Sequence, residues 1–307
     1  MVWSRTKGHD YLMRVGYDKR GRRRQSSLGR RSDDTERIKA EFERGREEAK
    51  DRLRDLGQVM ERQAAVNRAL GLGRMPLIGA RILRALDDSG LLDGGIRVIG
   101  TNAIYAYEAA AGVHLDPGLT TTEDIDLLLD SRARLAFVAT DELEAASLLR
   151  ILQRVDKSFM RTERDFRAAN RDGYLVDPVK ALRNPPWSES RVAIGDDPND
   201  LAAVEIEGLS WLESAPAFEA TVIDERGEPL RLVTADPRVF AIHKRWMSTR
   251  ADREPMRRRR DEDQAKTVAA LVATFMPQLA VEHKELQMLP SAFIDGAKPM
   301  FEPPRAG

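Results

Sequence analysis

The sequence predicts an α+β protein: a mixed sheet with helices, entered through a long N-terminal helix and followed by a helical C-terminal domain. Three observations carry that expectation. From Ser32 to Leu70, apolar residues recur at helical spacing on an otherwise charged stretch. Between Ile96 and Ala235, short apolar runs are separated by Gly-, Pro- and Asp-rich turns, as strands are. From Asp236 the pattern returns to helical periods. The expected units are residues 1–75, a basic arm and an accessory helix; 76–235, the sheet-bearing body; and 236–307, the helical domain.

Taken in order, residues 1–31 carry ten Lys/Arg against Asp10 and Asp18, with weak apolar alternation. They read as a basic arm in which YLMRVGYD followed by KRG forms at most a strand and a turn. Such an arm is either solvated or in contact with nucleic-acid phosphates through Arg22, Arg23 and Arg24. Residues 32–70 form a helix capped by Ser32 or Asp33, with Glu36 as the capping-box partner of Asp33. Its narrow seam (Ile38, Phe42, Ala49, Leu53, Leu56, Met60) is expected to pack along the body; the other use of such a seam is to pair with a second chain as a homodimer.

After the GLGRMP break, Leu77, Ile82, Leu83 and Leu86 face a core from a helix over 77 to about 92. IRVIG is a short buried strand, NAIYAYEAAAG a helix stopped by Gly112, HLDPGLTTTE a loop and DIDLLLD a strand. SLLRILQRV sits in a helix expected to begin near Asp141, and RDFRAAN–RDG–YLVDPVKAL reads as a hairpin. NPPWSES and IGDDPND read as loops. VEIEGLSWL, EATVID and PLRLVTA read as strands, and ERGEP as the turn between the last two. Pro237 opens one C-terminal helix and REPMRRRRDEDQAKTVAALVATFM forms another.

Composition excludes several chemistries. Fifty Lys/Arg balance fifty Asp/Glu, so charge is arranged in blocks rather than spread as a uniform basic surface. There is no cysteine, hence no disulfide, thiolate nucleophile or Cys-ligated zinc. The four histidines share no metal-ligand spacing, so a bound metal must rest mostly on carboxylates, which suits Mg²⁺ or Mn²⁺. No apolar stretch reaches about 18 residues and the N-terminus lacks an apolar signal core, so the expectation is a cytoplasmic protein of bacterial type without a membrane partner.

The chemistry concentrates in TTTEDIDLLLD. Alternation in a strand points Asp124 and Asp126 to one face, at the strand's start. Two carboxylates that close repel unless a cation lies between them, and a Mg²⁺ shared with a substrate triphosphate removes the conflict. A third acid should come from a neighbouring strand, and Asp177 in YLVDPV is the candidate. Upstream, VIGTNA leads into a helix N-terminus, where Gly100, Thr101 and Asn102 can hold a phosphate through backbone N–H groups and the Thr101 hydroxyl.

Gly100-Thr101, then Asp124-Ile-Asp126, then Asp177 resembles the nucleotidyltransferase superfamily with the DNA-polymerase-β-type fold. The wider pattern, from YL…GYDKRG through GLGRMP, VIGTNAIYAYEAAAGV, TTTEDIDLLL and GYLVDPVKAL to RRRRDEDQAK, is similar to a bacterial branch of that fold over nearly the whole chain. The resemblance implies transfer of a nucleotidyl group from an NTP to an acceptor hydroxyl. Asp124 and Asp126 would bind two metal ions, and Asp177 the metal that activates the acceptor, with a general-base role open to it. Relative to the smallest members of the superfamily, YEAAAGVHLDPGLTTT should lengthen the helix and loop before the acidic strand.

FAIHKRWMSTRADREPMRRRRDEDQAK is similar to the basic pattern of AbiEii-type toxin nucleotidyltransferases, which implies Lys244 and Arg253 on the triphosphate. His243 reads as a packed histidine. The Arg257–Arg260 run reads as a solvated face, with Arg257 and Arg258 the candidates for nucleic-acid contact. Asp261 and Asp263 are expected to pair with those arginines, with Asp263 also placed to orient Lys244 or Arg253. The expected acceptor is RNA, such as a tRNA end. The alternatives are a small hydroxylated acceptor of aminoglycoside type and a catalytically silent nucleotide- or nucleic-acid-binding protein.

Overall fold

The computed structural model describes residues 1–17, 22–92, 95–130, 147–164, 166–182, 200–282 and 284–302. The start of the helix expected near Asp141, the loops NPPWSES and IGDDPND (except Asp200), and the KRG turn lie outside the described residues.

The N-terminal segment is a correction to the expected arm. It folds into a three-stranded antiparallel sheet of β1 (Val2–Thr6), β2 (His9–Tyr17) and β3 (Arg23–Arg30). Lys7 and Gly8 both take positive φ, the conformation a two-residue hairpin between Thr6 and His9 demands. The alternation was hard to read because, among the described residues, Leu12 alone is completely buried in the sheet; other apolar surface is shared with arginine stems, such as Arg31 stacked over Trp3 at 5.2 Å.

Helix α1 (Asp33–Ala69) is capped by Ser32. The capping-box partner is Thr35 rather than Glu36: the Ser32 N–H donates to Thr35 Oγ1 at 2.9 Å, and the Thr35 N–H donates to Ser32 Oγ at 3.4 Å. Counted from Ser32, Thr35 is the residue in the N3 position, and Glu36 instead accepts from Arg31 Nε at 2.7 Å. The expected packing of the seam along the body is also corrected. Ile38, Phe42, Leu53, Leu56 and Met60 are exposed, Leu53 by 70 %. Among the described residues the helix is fastened near its ends, by Thr35 beneath Gly29 and by Ala64 and Asn67 against the turn around Gly227, whose carbonyl accepts from Asn67 Nδ2 at 2.8 Å.

Next come α2 (Leu77–Asp88), β4 (Ile96–Ile99), a 3₁₀ turn over Gly100–Ala103, α3 (Ile104–Ala111), the short α4 (Pro117–Thr120) and β5 (Asp124–Leu129). Gly112 closes α3 in the left-handed conformation, as expected. The extra length before the acidic strand is taken up by α3 and by α4, a helical turn inside the expected loop. Ser147 caps α5 (Leu148–Val155), and β6 (Met160–Arg161), β7 (Ala168–Ala169) and β8 (Leu175–Ala181) follow as successive hairpins.

The expected strand VEIEGLSWL splits into β9 (Val204–Ile206) and α6 (Leu209–Ser214). Gly208 breaks it at φ +85°; a Cβ there would stand 2.5 Å from the Trp246 ring. β10 (Ala217–Ile223) and β11 (Pro229–Ala235) form the expected hairpin. Helices α7 (Pro237–Thr249), α8 (Pro255–Phe275) and α9 (Ser291–Ala297) complete the chain with a 3₁₀ turn at Lys298–Phe301.

The main sheet runs β10-β11-β4-β5-β8-β7-β6, with β9 beside β8, and mixes parallel (β11/β4, β5/β8, β8/β9) and antiparallel pairs. Its two faces sort cleanly. Ile96, Val98, Ile125, Leu127 and Val176 face the larger core with α2, α3 and α5, while Ile99, Leu128 and Val179 face a smaller core beneath α6, α7 and α9. Phe240 of α7 and Val268 and Val272 of α8 belong to the larger core, so the C-terminal helices share the hydrophobic interior of the body.

Candidate active site

Alternation along β5 puts Asp124 and Asp126 on the same face as Leu128, the face roofed by α7, and the opposite side of the strand from Ile125. Leu128 is covered; the two acids, nearer the strand's start, are half-buried. Asp126 and Asp177 are direct partners in the parallel β5/β8 ladder, so the third carboxyl projects to the same side. Asp177 lies within β8, not at its end, and is buried.

The Gly100 turn is pressed onto this cluster. Gly100 has φ +65°, and a Cβ there would stand 2.3 Å from Asp126 Oδ2. Asn102 faces inward: its Nδ2 donates to the Asp124 carbonyl at 2.6 Å, tying the turn to the acidic strand. The Thr122 hydroxyl donates to Asp124 Oδ1. Gln264 of α8 donates through Nε2 to Thr101 Oγ1 at 3.2 Å and to the Leu119 carbonyl at 2.9 Å, while its own Oε1 and the Asn102 Oδ1 are buried without a hydrogen-bond partner among the described residues.

Electrostatics follow from this crowding. The Asp126 carboxyl is pushed up to about 7, first by burial and then by Asp124 and Asp177, with Lys244 and Arg167 partly opposing. The residue as a whole is half-buried, but its carboxylate end is the enclosed part, tucked against Gly100. Asp177 is engaged by Arg167 in a two-pronged pair, with Nε to Oδ1 at 2.7 Å and the second guanidinium nitrogen on Oδ2.

Across from the acids, Lys244 Nζ and Arg253 Nε donate to the two oxygens of Asp261 at 2.7 and 2.8 Å. Asp261 is buried; burial opposes its ionisation, but Lys244 and Arg253 outweigh that and hold the carboxyl below its usual range. The expected pairing of Asp261 with the Arg257–Arg260 run is thus corrected, and so is the orienting role expected of Asp263, which is exposed and turned outward. His243 is packed between Trp211 and Trp246, as expected. Burial, then Lys244, lowers it to about 3, so it stays neutral.

The structure therefore brings together Gly100, Thr101, Asn102, Asp124, Asp126, Asp177 and Lys244, with Arg253 behind Asp261. Arg257 pairs with Glu254 at 3.6 Å on the exposed side of α8 and Arg258 is half-buried there. Arg23 and Arg24 lie at the exposed start of β3 in the N-terminal sheet, and Arg22 immediately precedes them. Sequence reasoning missed Arg167, Asp261 and Gln264. The first was available from the hairpin register: Ala168 faces Val176, so Arg167 stands opposite Asp177. The other two were available from helical period, since Asp261, Gln264, Ala265 and Val268 fall on one buried stripe of α8.

A mixed sheet bearing three carboxylates on two adjacent strands, faced by a pinned lysine and arginine, defines a class of site built for polyanionic substrates. A family model described as nucleotidyltransferase matches residues 78–289, more than half of the 307 residues and the whole of this site. The chain belongs to this nucleotidyltransferase family, and the match supports an enzyme of that kind. No curated protein and no solved structure matches the chain.

The donor set bears on the divalent metal that the resemblance implies. Hard carboxylate oxygens and a like-charge cluster that raises Asp126 suit Mg²⁺ or Mn²⁺. Among the described residues no three such side chains already form a metal cage, and Asp177 is held by Arg167. Asp124 and Asp126 fit the group as they stand; Asp177 would join them on release from Arg167.

Proposed function

We propose that this protein is a metal-dependent nucleotidyltransferase that moves an NMP from an NTP to an acceptor hydroxyl, breaking the α–β phosphoanhydride bond and releasing pyrophosphate, with RNA as the acceptor. The observation that carries the reading is the juxtaposition of Asp124, Asp126 and Asp177 with the Lys244–Asp261–Arg253 triad. Asp124 and Asp126, with Asp177, would hold Mg²⁺ or Mn²⁺. When bound, the metal offsets charge on the transferring phosphoryl group and lowers the pKa of a coordinated hydroxyl. The chain's own residues do the rest. Lys244 and Arg253, held by Asp261, present positive charge to the triphosphate. The Gly100–Thr101 turn offers backbone N–H groups close to the acids. Asp177 accepts the acceptor's proton once Arg167 lets it go, and Arg167 is then free for a phosphate oxygen.

RNA is favoured as acceptor by the arginines of the N-terminal sheet (Arg22, Arg23, Arg24) and by Arg257 and Arg258 on α8. An aminoglycoside-type acceptor calls for an acidic pocket.

The test is incubation with each α-³²P-NTP, Mg²⁺ or Mn²⁺ and total bacterial RNA, beside an Asp124→Ala/Asp126→Ala variant. Label on RNA with the wild type alone supports the reading. Metal-dependent NTP binding without RNA labelling moves the acceptor to a small molecule or protein. No NTP binding at all leaves a silent binding protein.

A further inference from the structure

Helix α1 presents an apolar stripe whose ends are used within the chain and whose middle is bare. Thr35 is covered by β3, and Ala64 and Asn67 by the Gly227 turn. Between them Ile38, Phe42, Leu56 and Val59 are all at least 40 % exposed on one side of a 37-residue helix. A solvated helix of that length with an uncovered stripe calls for a partner surface.

We propose that α1 pairs two copies of this chain as a parallel, in-register coiled coil. With Phe42, Ala49 and Leu56 at a and Ile38 and Val59 at d, the heptad also places Gly45 and Arg52 at d. Gly45 and Ala49 allow close approach at mid-length, and Arg52 is the single charged seam residue, lying in a shallow groove with Glu48 and Asp55. A single charged seam position sets register at a cost in stability.

The flanking charges choose the occupant and its direction. The g positions are Asp34, Glu41, Glu48 and Asp55; the first e positions are Lys39 and Arg46. In a parallel pair, g of one helix meets the following e of the other, so Asp34 faces Lys39 of a second copy and Glu41 faces Arg46 of a second copy. Glu41 and Arg46 make no ion pair within the chain among the described residues. The exposed Asp34–Arg37 and Lys39–Glu43 pairs within the helix are weak enough to exchange. In an antiparallel pair the acidic g rows would face each other and repel. At the e positions Leu53 and Met60, both exposed, widen the apolar seam toward the body. Parallel pairing also brings two Arg22–Arg23–Arg24 sheets to one end of the coil.

The absence of cysteine makes the test direct. Sedimentation velocity on the full-length protein should give twice the 34.5 kDa chain mass. Single Ile38→Cys and Val59→Cys variants, oxidised with copper phenanthroline, should each form a disulfide-linked dimer, since identical seam positions face each other. Both sites are exposed, so neither change touches the core. Leu56→Glu should reduce the mass to the monomer and abolish cross-linking, with the melting transition of the body retained. A monomer at every concentration would overturn the proposal. So would cross-linking only in a mixture of Ile38→Cys and Leu56→Cys variants, because a d position meets an a position of the other helix in the antiparallel arrangement.

Discussion

At the residue scale, the acids and their counter-cations carry the consequences. Asp126 titrates near 3.8 in an unfolded chain and at about 7 in the fold, so its contribution to stability is fully present below 3.8 and is lost as pH rises through 7. Asp126→Asn is therefore expected to raise the melting temperature in EDTA, by a margin that grows from about pH 4 to about pH 7 and then levels off. The same variant should lose about 10²–10³-fold or more in nucleotidyl transfer, measured with saturating Mg²⁺. A margin that shrank with pH would mean that Asp126 is not crowded by Asp124 and Asp177. Asp261→Asn takes the charge from the group that holds Lys244 and Arg253. A loss of about 2–4 kcal/mol in urea unfolding is expected, together with a raised KM for NTP.

At the element scale, two glycines decide how pieces meet. Gly100→Ala would drive a Cβ into Asp126 Oδ2 and strain a φ of +65°. Activity should be lost while the protein remains folded, because the displaced atom belongs to the site and not to the core; circular dichroism and the transfer assay together check this. Gly227→Ala would place a Cβ 2.1 Å from the Ala64 carbonyl oxygen. It should free the C-terminal end of α1, read as faster amide exchange around Ala64–Asn67, with the chemistry of the site left in place. Most elements were legible before the structure because their signals are local: the Asp-Ile-Asp strand, the Gly112 stop and the ERGEP turn all sit within a few residues of the feature they specify. The N-terminal sheet and α6 were not. The alternation of β1–β3 is written mostly in exposed arginines, and α6 begins where Gly208 meets Trp246, a contact 38 residues away in the chain.

At the scale of the whole molecule, the arginines of the N-terminal segment are separated along the chain from the acid cluster by α1. Arg22, Arg23 and Arg24 stand on a sheet joined to the body through a 37-residue helix, about 55 Å long. Changing all three to Gln should weaken RNA binding, and reduce the slope of log affinity against log salt by roughly 0.7 per phosphate contact removed on single strands. Filter binding across a salt series would measure this, with transfer to a non-RNA acceptor as the control. An unchanged slope would remove the sheet from RNA recognition. Among the described residues no helix is long and apolar enough to cross a membrane.

The sequence by itself determined the acids, the turn that faces them and the basic residues that answer them. Asp124, Asp126, Asp177, Gly100, Lys244 and Arg253 could be picked out because residue type and spacing along one strand or helix are local properties. Only the tertiary structure decided what each acid touches. Arg167 meets Asp177 through hairpin register, and Asp261 rather than Asp263 pins Lys244 and Arg253 because the buried stripe of α8 turns one inward and the other out. The seam of α1 is equally periodic whether it lies against the body or in water. Its exposure was settled by where the two ends of the helix are fastened, which is a property of chain segments far apart in sequence.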